Sequence, residues 1–163
     1  MGVGMKITLV AVGKVKERYF TEAATEYVKR ISRYAKVEVL EVADEKTPDQ
    51  APEGEKSRIL EKEGERVLQK IPAGAFVVAL AIEGKMPDSK ELAEQMERWN
   101  VEGVSHVVFV IGGSLGLAGK VMKRANYVLS FSRMTFPHQL MRVILLEQIY
   151  RSFTIRNHTP YHK

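Results

Sequence analysis

HVVFVIGGSLG, residues 106–116, joins an unbroken apolar run to a glycine-rich loop. An apolar run of this length that stops at glycine is typical of a strand buried on both faces. A short helix is predicted just after the loop, around Val121, Met122 and Ala125. Strand, loop and helix in this order form the repeating unit of α/β proteins, and the same unit recurs along the rest of the chain.

Strand and helix patterns alternate from one end of the chain to the other. The longest predicted helix carries apolar residues from Leu140 to Ile149, and an earlier one places Tyr19, Ala23 and Tyr27 on one face. Several strands are apolar on both faces, which predicts a mostly parallel sheet with helices on both sides. The predicted strands are Lys6–Val12, Val37–Val42, Phe76–Ile82, His106–Ile111 and Tyr127–Phe131.

Local signals set several boundaries. Asp88 precedes Glu91 by three residues, which predicts a capping box at the start of a helix. Pro137 stands where prolines open helices, and the polar segment Asp44–Gly54 is predicted to separate the second strand from the second helix. Residues 5–163 are expected to form one domain, with Met1–Gly4 as an extension.

Three loops are the places to look for a site. Ligands of open parallel sheets bind beyond the carboxyl ends of the strands. The loops predicted at that edge are Glu83–Pro87, Gly112–Gly119 and Ser132–Pro137.

The glycine loop does not match the nucleotide-binding motifs. A dinucleotide fingerprint needs glycine where Ser114 stands. A phosphate loop ending at Gly119-Lys120 would need glycine at Ser114 and a hydroxyl at Val121. What remains is either a plain turn or a loop whose missing side chains let a ligand approach the backbone.

Composition limits the chemistry. The chain of 163 residues has no cysteine, which excludes disulfides and thiolate chemistry, and no HExxH motif, so no metal is expected. No apolar run approaches the roughly 18 residues of a membrane helix, so a cytoplasmic protein is expected. Residues 120–163 contain eight basic side chains but one acid, Glu147, which suggests a polyanionic partner or scattered surface charge.

Two pairs of polar residues spaced four apart are candidates for a site. His138 and Arg142 are four residues apart at the start of the last helix and share a face, where they could bind phosphate or accept a proton. A helix cap and a surface pair are the structural alternative. His158 and His162 have the same spacing, but Pro160 between them argues against a helical metal site.

Longer blocks of sequence are shared with a known family. The chain resembles the SPOUT-class ribosomal RNA large subunit methyltransferase H family, and the resemblance runs from Met5 to Lys163. The blocks that carry it are the opening KITLVAVGK (residues 6–14), GGSLG (112–116), LSFSRMTFPH (129–138), Arg142-Val143, EQIYR (147–151) and the terminal Tyr161-His162-Lys163.

The resemblance implies both fold and function. It implies a deep trefoil knot in the C-terminal part of the chain and a homodimer, with the pocket formed by knot loops at the subunit interface. It also implies transfer of a methyl group from S-adenosyl-L-methionine to N3 of a pseudouridine in the helix 69 hairpin of 23S ribosomal RNA. The expected substrate is the assembled 70S ribosome.

Site residues follow from the same resemblance. The implied cofactor-binding residues are Leu80, Gly112, Phe131, Ser132, Arg133, Met134, Thr135 and Phe136. Loss of the N3 proton needs a base or a positive field. The candidates for that role are His138, Tyr161 and His162, with Arg142 steadying RNA phosphate or the developing anion.

Three other functions are compatible with the sequence. A SPOUT enzyme could act on another RNA such as tRNA, which only substrate assays would distinguish. A non-catalytic RNA-binding module would bind RNA but no S-adenosylmethionine. A nucleotide hydrolase is disfavoured by Ser114 and Val121.

Overall fold

Five strands alternate with five helices in the computed structural model, which describes residues 4–163. Met1–Val3 of the predicted extension lie outside the described residues. The elements are β1 (Lys6–Val12), α1 (Arg18–Ile31), β2 (Lys36–Val42), α2 (Glu53–Gln69), β3 (Phe76–Lys85), α3 (Ser89–Val101), β4 (His106–Ile111), α4 (Gly119–Arg124), β5 (Tyr127–Leu129) and α5 (His138–Arg156).

The strands form one sheet in the order β2-β1-β4-β3-β5, and each neighbouring pair is parallel. Leu9 of β1 lies in register with Val39 of β2 on one side and Phe109 of β4 on the other. The predicted α/β class is confirmed. Because the strands are parallel, their carboxyl ends and the loops that follow them meet at one edge of the sheet.

Alternate residues of the central strands enter two separate cores. Leu9 and Phe109 face α1, α3 and α5, where they pack with Trp99 and Leu145. Val10, Val108 and Val110 face the other way and pack with Val67 of α2 and Val121 of α4. Strands buried on both faces need apolar residues at every position, which is why their sequences show no alternation.

Two strand ends differ from their predictions. β3 continues to Lys85 instead of ending at Ile82, because its last residues lie against β5. The approach is close enough that a Cβ atom on Gly84 would lie 2.7 Å from the Val128 carbonyl oxygen. β5 ends at Leu129 and not at Phe131. Beyond that point serine hydroxyl groups bond to nearby backbone and turn the chain away from the ladder, as such side chains often do.

Helix starts follow local chemistry closely. Asp88 Oδ1 accepts from the Glu91 N–H and Glu91 Oε1 accepts from the Asp88 N–H, both at 2.8 Å, so the predicted capping box is confirmed. α2 begins at Glu53, within the segment predicted to be irregular, since Pro52 caps it. Pro137 also caps its helix instead of forming the first residue, which is His138. Within residues 4–163, no helix is long and apolar enough to cross a membrane.

Candidate active site

A cavity of about 370 Å³ opens at the carboxyl edge of the sheet, beside the ends of β3, β4 and β5. This volume is within the range of about 300 to 1,000 Å³ that is usual for small-molecule sites. Its wall is formed by Leu80–Glu83, by the glycine loop after Ile111, by most of residues 129–136, and by Met122, His138 and Met141. Two of the three loops predicted to hold the site therefore form much of this wall.

The glycine loop is folded tightly on itself. The Gly116 N–H donates to the Gly113 carbonyl at 3.0 Å, and Gly116 adopts φ +84°, a left-handed conformation that favours glycine. A Cβ atom on Gly112 would overlap the carbonyl group of Gly116. The wall therefore presents backbone at Gly112, Gly113 and Gly116, and Leu115 and Leu117 complete this part of it.

The opposite wall is a coil held by two serines. Ser130 Oγ donates to the Ser132 carbonyl at 3.0 Å, and Ser132 Oγ accepts from the Met134 N–H at 2.9 Å. The Ser130 N–H donates to the Lys85 carbonyl at 2.8 Å, which ties the coil to the end of β3. The coil therefore has a defined path although it has no regular structure.

Most of the predicted cofactor-binding residues lie together. Arg133 is the exception, since its side chain is exposed and stands outside the cavity wall. Met134 is 72% exposed and reaches only the rim. The predicted residues that the structure brings to the wall are Leu80, Gly112, Phe131, Ser132, Met134, Thr135 and Phe136.

The first two predicted catalytic residues have different surroundings. His138, the first residue of α5, lines the cavity. Arg142 lies one turn further along, with a side chain only 3% exposed, and donates to Glu41 Oε2 at 2.5 Å and to the Gly13 carbonyl at 3.2 Å. This placement favours a role for Arg142 in holding neighbouring segments over direct contact with RNA.

The C-terminal tail folds back on the second half of α5. The Tyr161 hydroxyl donates to Glu147 Oε2 at 2.7 Å, and His162 Nδ1 lies 3.0 Å from an Arg151 guanidinium nitrogen. Burial, followed by the hydrogen bond to Glu147, raises the pKa of Tyr161. Glu147 is nine residues from His138, so the tail of this chain contacts α5 roughly 14 Å further along the helix axis. Within one chain, Tyr161 and His162 do not reach the cavity wall.

Two acidic residues were missed as individual site residues. Glu83 is the one carboxylate of the described cavity wall. The sequence pattern predicted the loop that begins at Glu83 but not a role for this side chain. Glu63 of α2 lies behind the glycine loop, 5% exposed, and its Oε1 has no hydrogen-bond partner among the described residues. Burial raises the pKa of Glu63. The charged pattern of α2 gave no sign that this one carboxyl would be enclosed.

Four of the eight basic side chains of residues 120–163 form ion pairs with carboxylates, most of which come from distant elements. The segment therefore carries less uncompensated positive charge than its sequence suggests. The contacts are Lys120 with Glu61 and Glu65, Arg124 with the carbonyls of residues 72, 73 and 75, Arg142 with Glu41, Arg151 with Glu147, and Arg156 with Glu97. Between residues 4 and 163, no group of three or more His, Asp or Glu side chains is arranged to hold a metal ion.

Similar proteins share this architecture and sequence. The family model described as "Predicted SPOUT methyltransferase" matches residues 5–162. A ribosomal RNA large subunit methyltransferase H from Bifidobacterium animalis subsp. lactis is 63% identical over 159 residues, 98% of this chain and 100% of that protein. One of the same name from Streptococcus pneumoniae is 55% identical with the same coverage.

A solved structure of a probable methyltransferase from Bordetella pertussis Tohama I has a TM-score of 0.56 at 15% identity, covering 91% of this chain and 96% of that one. At this identity the likeness shows the fold alone. The family model and the full-length relatives go further: this chain belongs to the SPOUT methyltransferase family and, within it, to the ribosomal RNA large subunit methyltransferase H family.

Proposed function

We propose that this protein transfers a methyl group from S-adenosyl-L-methionine to N3 of a pseudouridine in the helix 69 hairpin of 23S ribosomal RNA, acting on the assembled 70S ribosome in the cytoplasm. One observation carries the proposal. The cavity is built from the two blocks of sequence, residues 112–116 and 129–138, that identify the family, in a chain 63% identical to a protein named ribosomal RNA large subunit methyltransferase H.

The cavity suits this methyl donor. Leu80 and Phe131 can form apolar walls for an adenine ring, while the backbone of the two loops offers donors and acceptors at its edge. Gly112 keeps the wall free of a side chain where the loop closes on Gly116. When bound, S-adenosylmethionine supplies an electrophilic methyl group attached to a sulfonium centre. We propose that S-adenosylmethionine binds against the predicted cofactor-binding residues that line the cavity, and that Arg133 contacts it from the rim.

His138 is the residue best placed to handle the proton. As N3 of the pseudouridine bonds to the methyl carbon, the carbon–sulfur bond would break to leave S-adenosylhomocysteine, and the N3 proton must be lost. A positioned general base lowers the barrier to that proton loss. The described wall contains two ionisable side chains, Glu83 and His138, and a ring nitrogen of His138 can accept the proton. Holding the nitrogen in line with the methyl group supplies much of the remaining rate.

A second protomer would complete the site. Tyr161 and His162 are held on the second half of α5, away from the cavity of their own chain. In the homodimer and knotted topology that the resemblance implies, the tail of one subunit would face the cavity of the other. We therefore propose that residues 5–163 act as one domain, and that Tyr161 and His162 serve the partner's pocket.

Calorimetric titration with S-adenosylmethionine, followed by methyl transfer to 70S ribosomes that lack the modification, tests the proposal. We expect micromolar binding and transfer to 23S RNA, with far slower transfer to protein-free 23S RNA. Cofactor binding with methyl transfer only to tRNA would mean that the substrate is tRNA and not 23S ribosomal RNA. Absence of cofactor binding would contradict the enzyme assignment and favour an RNA-binding module.

The role of His138 needs a separate measurement. Single-turnover methylation by His138→Ala should fall by about 10² to 10⁴, the usual contribution of a general base. Cofactor affinity should stay close to that of the wild type. An unchanged single-turnover rate would exclude His138 as the base and direct attention to Glu83, which shares the wall.

A further inference from the structure

The loop between β1 and α1, residues 13–17, lies at the same sheet edge as the cavity and is fixed from several sides. Its first residue, Gly13, donates to the Val42 carbonyl at 2.8 Å and accepts from the Arg142 guanidinium at 3.2 Å. The Val15 N–H donates to Glu41 Oε2 at 3.2 Å. Glu41 also accepts from Arg142, so one buried guanidinium and one carboxylate hold both the loop and each other.

The same loop is bound to the first turn of α5. The Lys16 N–H donates to Gln139 Oε1 at 3.1 Å. Gln139 follows His138 directly, and His138 lines the cavity. The β1–α1 loop is therefore held beside the cavity wall by backbone hydrogen bonds, which leave its lysine side chains free to point outward.

The side chains of this loop are basic and exposed. Lys14 and Lys16 are exposed, and neither has an acidic partner within 4.0 Å among residues 4–163. Glu17 is the acid of the loop, and Arg18 is paired with Glu22 at 2.8 Å. These two lysines differ from four cations of the C-terminal segment, whose charges are paired with carboxylates: Lys120, Arg142, Arg151 and Arg156.

An exposed aromatic ring follows these lysines in the sequence. Tyr19, in the first turn of α1, is 64% exposed, and its ring centroid lies 4.6 Å from that of Phe20. Ammonium groups beside an accessible ring are the combination that binds single-stranded nucleic acid, since cations contact phosphates and rings stack on bases.

We propose that Lys14, Lys16 and Tyr19 form an RNA-binding surface beside the cavity. The two ammonium groups bind phosphates that flank the target nucleotide, and the Tyr19 ring stacks on an unpaired base. Arg142 is a positioning residue that holds this surface through Glu41 and Gly13. The inference rests on the proposed function and adds to it the residues that contact the substrate RNA.

Charge reversal with a matched control tests the surface. Lys14→Glu/Lys16→Glu changes the net charge by the same amount as Lys36→Glu/Lys70→Glu, whose lysines are also exposed. Lys36 begins β2 and Lys70 follows α2, so both lie at the amino edge of the sheet. A seven-residue strand separates the edges by roughly 23 Å. That is more than two Debye lengths of about 8 Å at physiological salt, so the control charges are well screened.

Binding to 70S ribosomes is measured by co-sedimentation at several salt concentrations, and S-adenosylmethionine binding by calorimetry. The loop double variant should bind ribosomes at least about 10-fold more weakly, with the slope of log K against log salt reduced by about 2. The amino-edge double variant should bind like the wild type, and cofactor affinity should be unchanged in both. Tyr19→Ala should weaken ribosome binding about 10-fold, with Tyr19→Phe close to wild type, because the ring does the stacking.

Equal losses in the two double variants would overturn the proposal, as would no loss in either. The binding assay separates this inference from the proposed function. If the wild type binds ribosomes through the loop but transfers no methyl group, the RNA-binding surface is supported and the proposed methyltransferase activity is wrong. If the wild type binds no ribosomes at all, both fail.

Discussion

Arg142 of α5 and Glu41 of β2, 101 residues apart in sequence, form an ion pair at 2.5 Å in which the two partners are buried to very different degrees. The Arg142 side chain is 3% exposed and that of Glu41 is 37% exposed. Removal of the carboxylate leaves an enclosed guanidinium with only the Gly13 carbonyl, whereas removal of the guanidinium leaves a carboxylate that water can reach.

The two single substitutions should therefore have unequal effects. We expect Glu41→Ala to lower the free energy of unfolding by about 3 kcal/mol, the cost of an uncompensated buried charge, and Arg142→Met to lower it by less. The double variant should regain part of the loss. Urea unfolding at a fixed protomer concentration measures all three. Equal losses in the two single variants would contradict the unequal burial of the pair.

A second prediction concerns the glycine loop. In Gly112→Ala the new Cβ would overlap the Gly116 carbonyl, so the loop must open and the cavity wall must change. We expect at least a 10-fold loss of S-adenosylmethionine affinity by calorimetry. Gly119→Ala is the matched control, because no atom lies within 4 Å of a Cβ at that position and alanine favours the helix that Gly119 begins. Similar affinities in the two variants would show that the tight closure at Gly112 is irrelevant to the cofactor.

Sequence patterns predicted the sheet class and most element boundaries because a doubly buried strand segment such as Val107–Ile111 is apolar at every position. They also predicted the loops that form the cavity wall. Pairings between distant residues could not be predicted in this way. Arg142 was predicted to steady RNA phosphate or the developing anion, and the structure places it against Glu41 and Gly13, which no local pattern links to it. For the same reason the sequence could not show that four of the eight cations of residues 120–163 are paired with carboxylates.

A third prediction follows from the tail. Burial and the hydrogen bond to Glu147 raise the pKa of Tyr161, so its phenol holds its proton more tightly in the folded protein than in the unfolded chain. The stabilisation is present below the ordinary tyrosine pKa of about 10 and is lost as pH rises through the folded value. A phenolate base is therefore absent near neutral pH. Tyr161→Phe should keep the shape of the wild-type pH–rate profile between pH 6 and about 9.5, even if its rate is lower.

Absorbance at 295 nm checks the same point without the reaction. Up to about pH 10, wild type and Tyr161→Phe should gain the same phenolate signal, since Tyr161 stays protonated. A wild-type signal larger by about half of one tyrosine at pH 10 would mean that the phenol ionises normally, and Tyr161 would again be available as a base.

The last prediction concerns Glu63, whose carboxyl group is enclosed between α2 and the glycine loop. Its Oε2 accepts from the Glu45 N–H at 2.9 Å, while Oε1 has no partner among the described residues and would lie 3.6 Å from a Cβ on Gly113. Burial raises the pKa of Glu63 above its ordinary value, so the folded state favours the protonated acid. Its contribution to stability is therefore full below the unfolded pKa and is lost as pH rises through the folded pKa.

Glu63→Gln replaces the acid with a neutral group of the same shape that can still accept from Glu45. Relative to the wild type, the free energy of unfolding of this variant should increase as pH rises from about 4 to 8, because only the wild type must bury a charge at the upper end. Glu53→Gln, on the same helix but 91% exposed, should show no such trend. Urea unfolding at three pH values and one protomer concentration decides the matter. A difference between Glu63→Gln and wild type that stays constant with pH would mean that this carboxyl group is hydrated in solution despite its enclosure behind the loop.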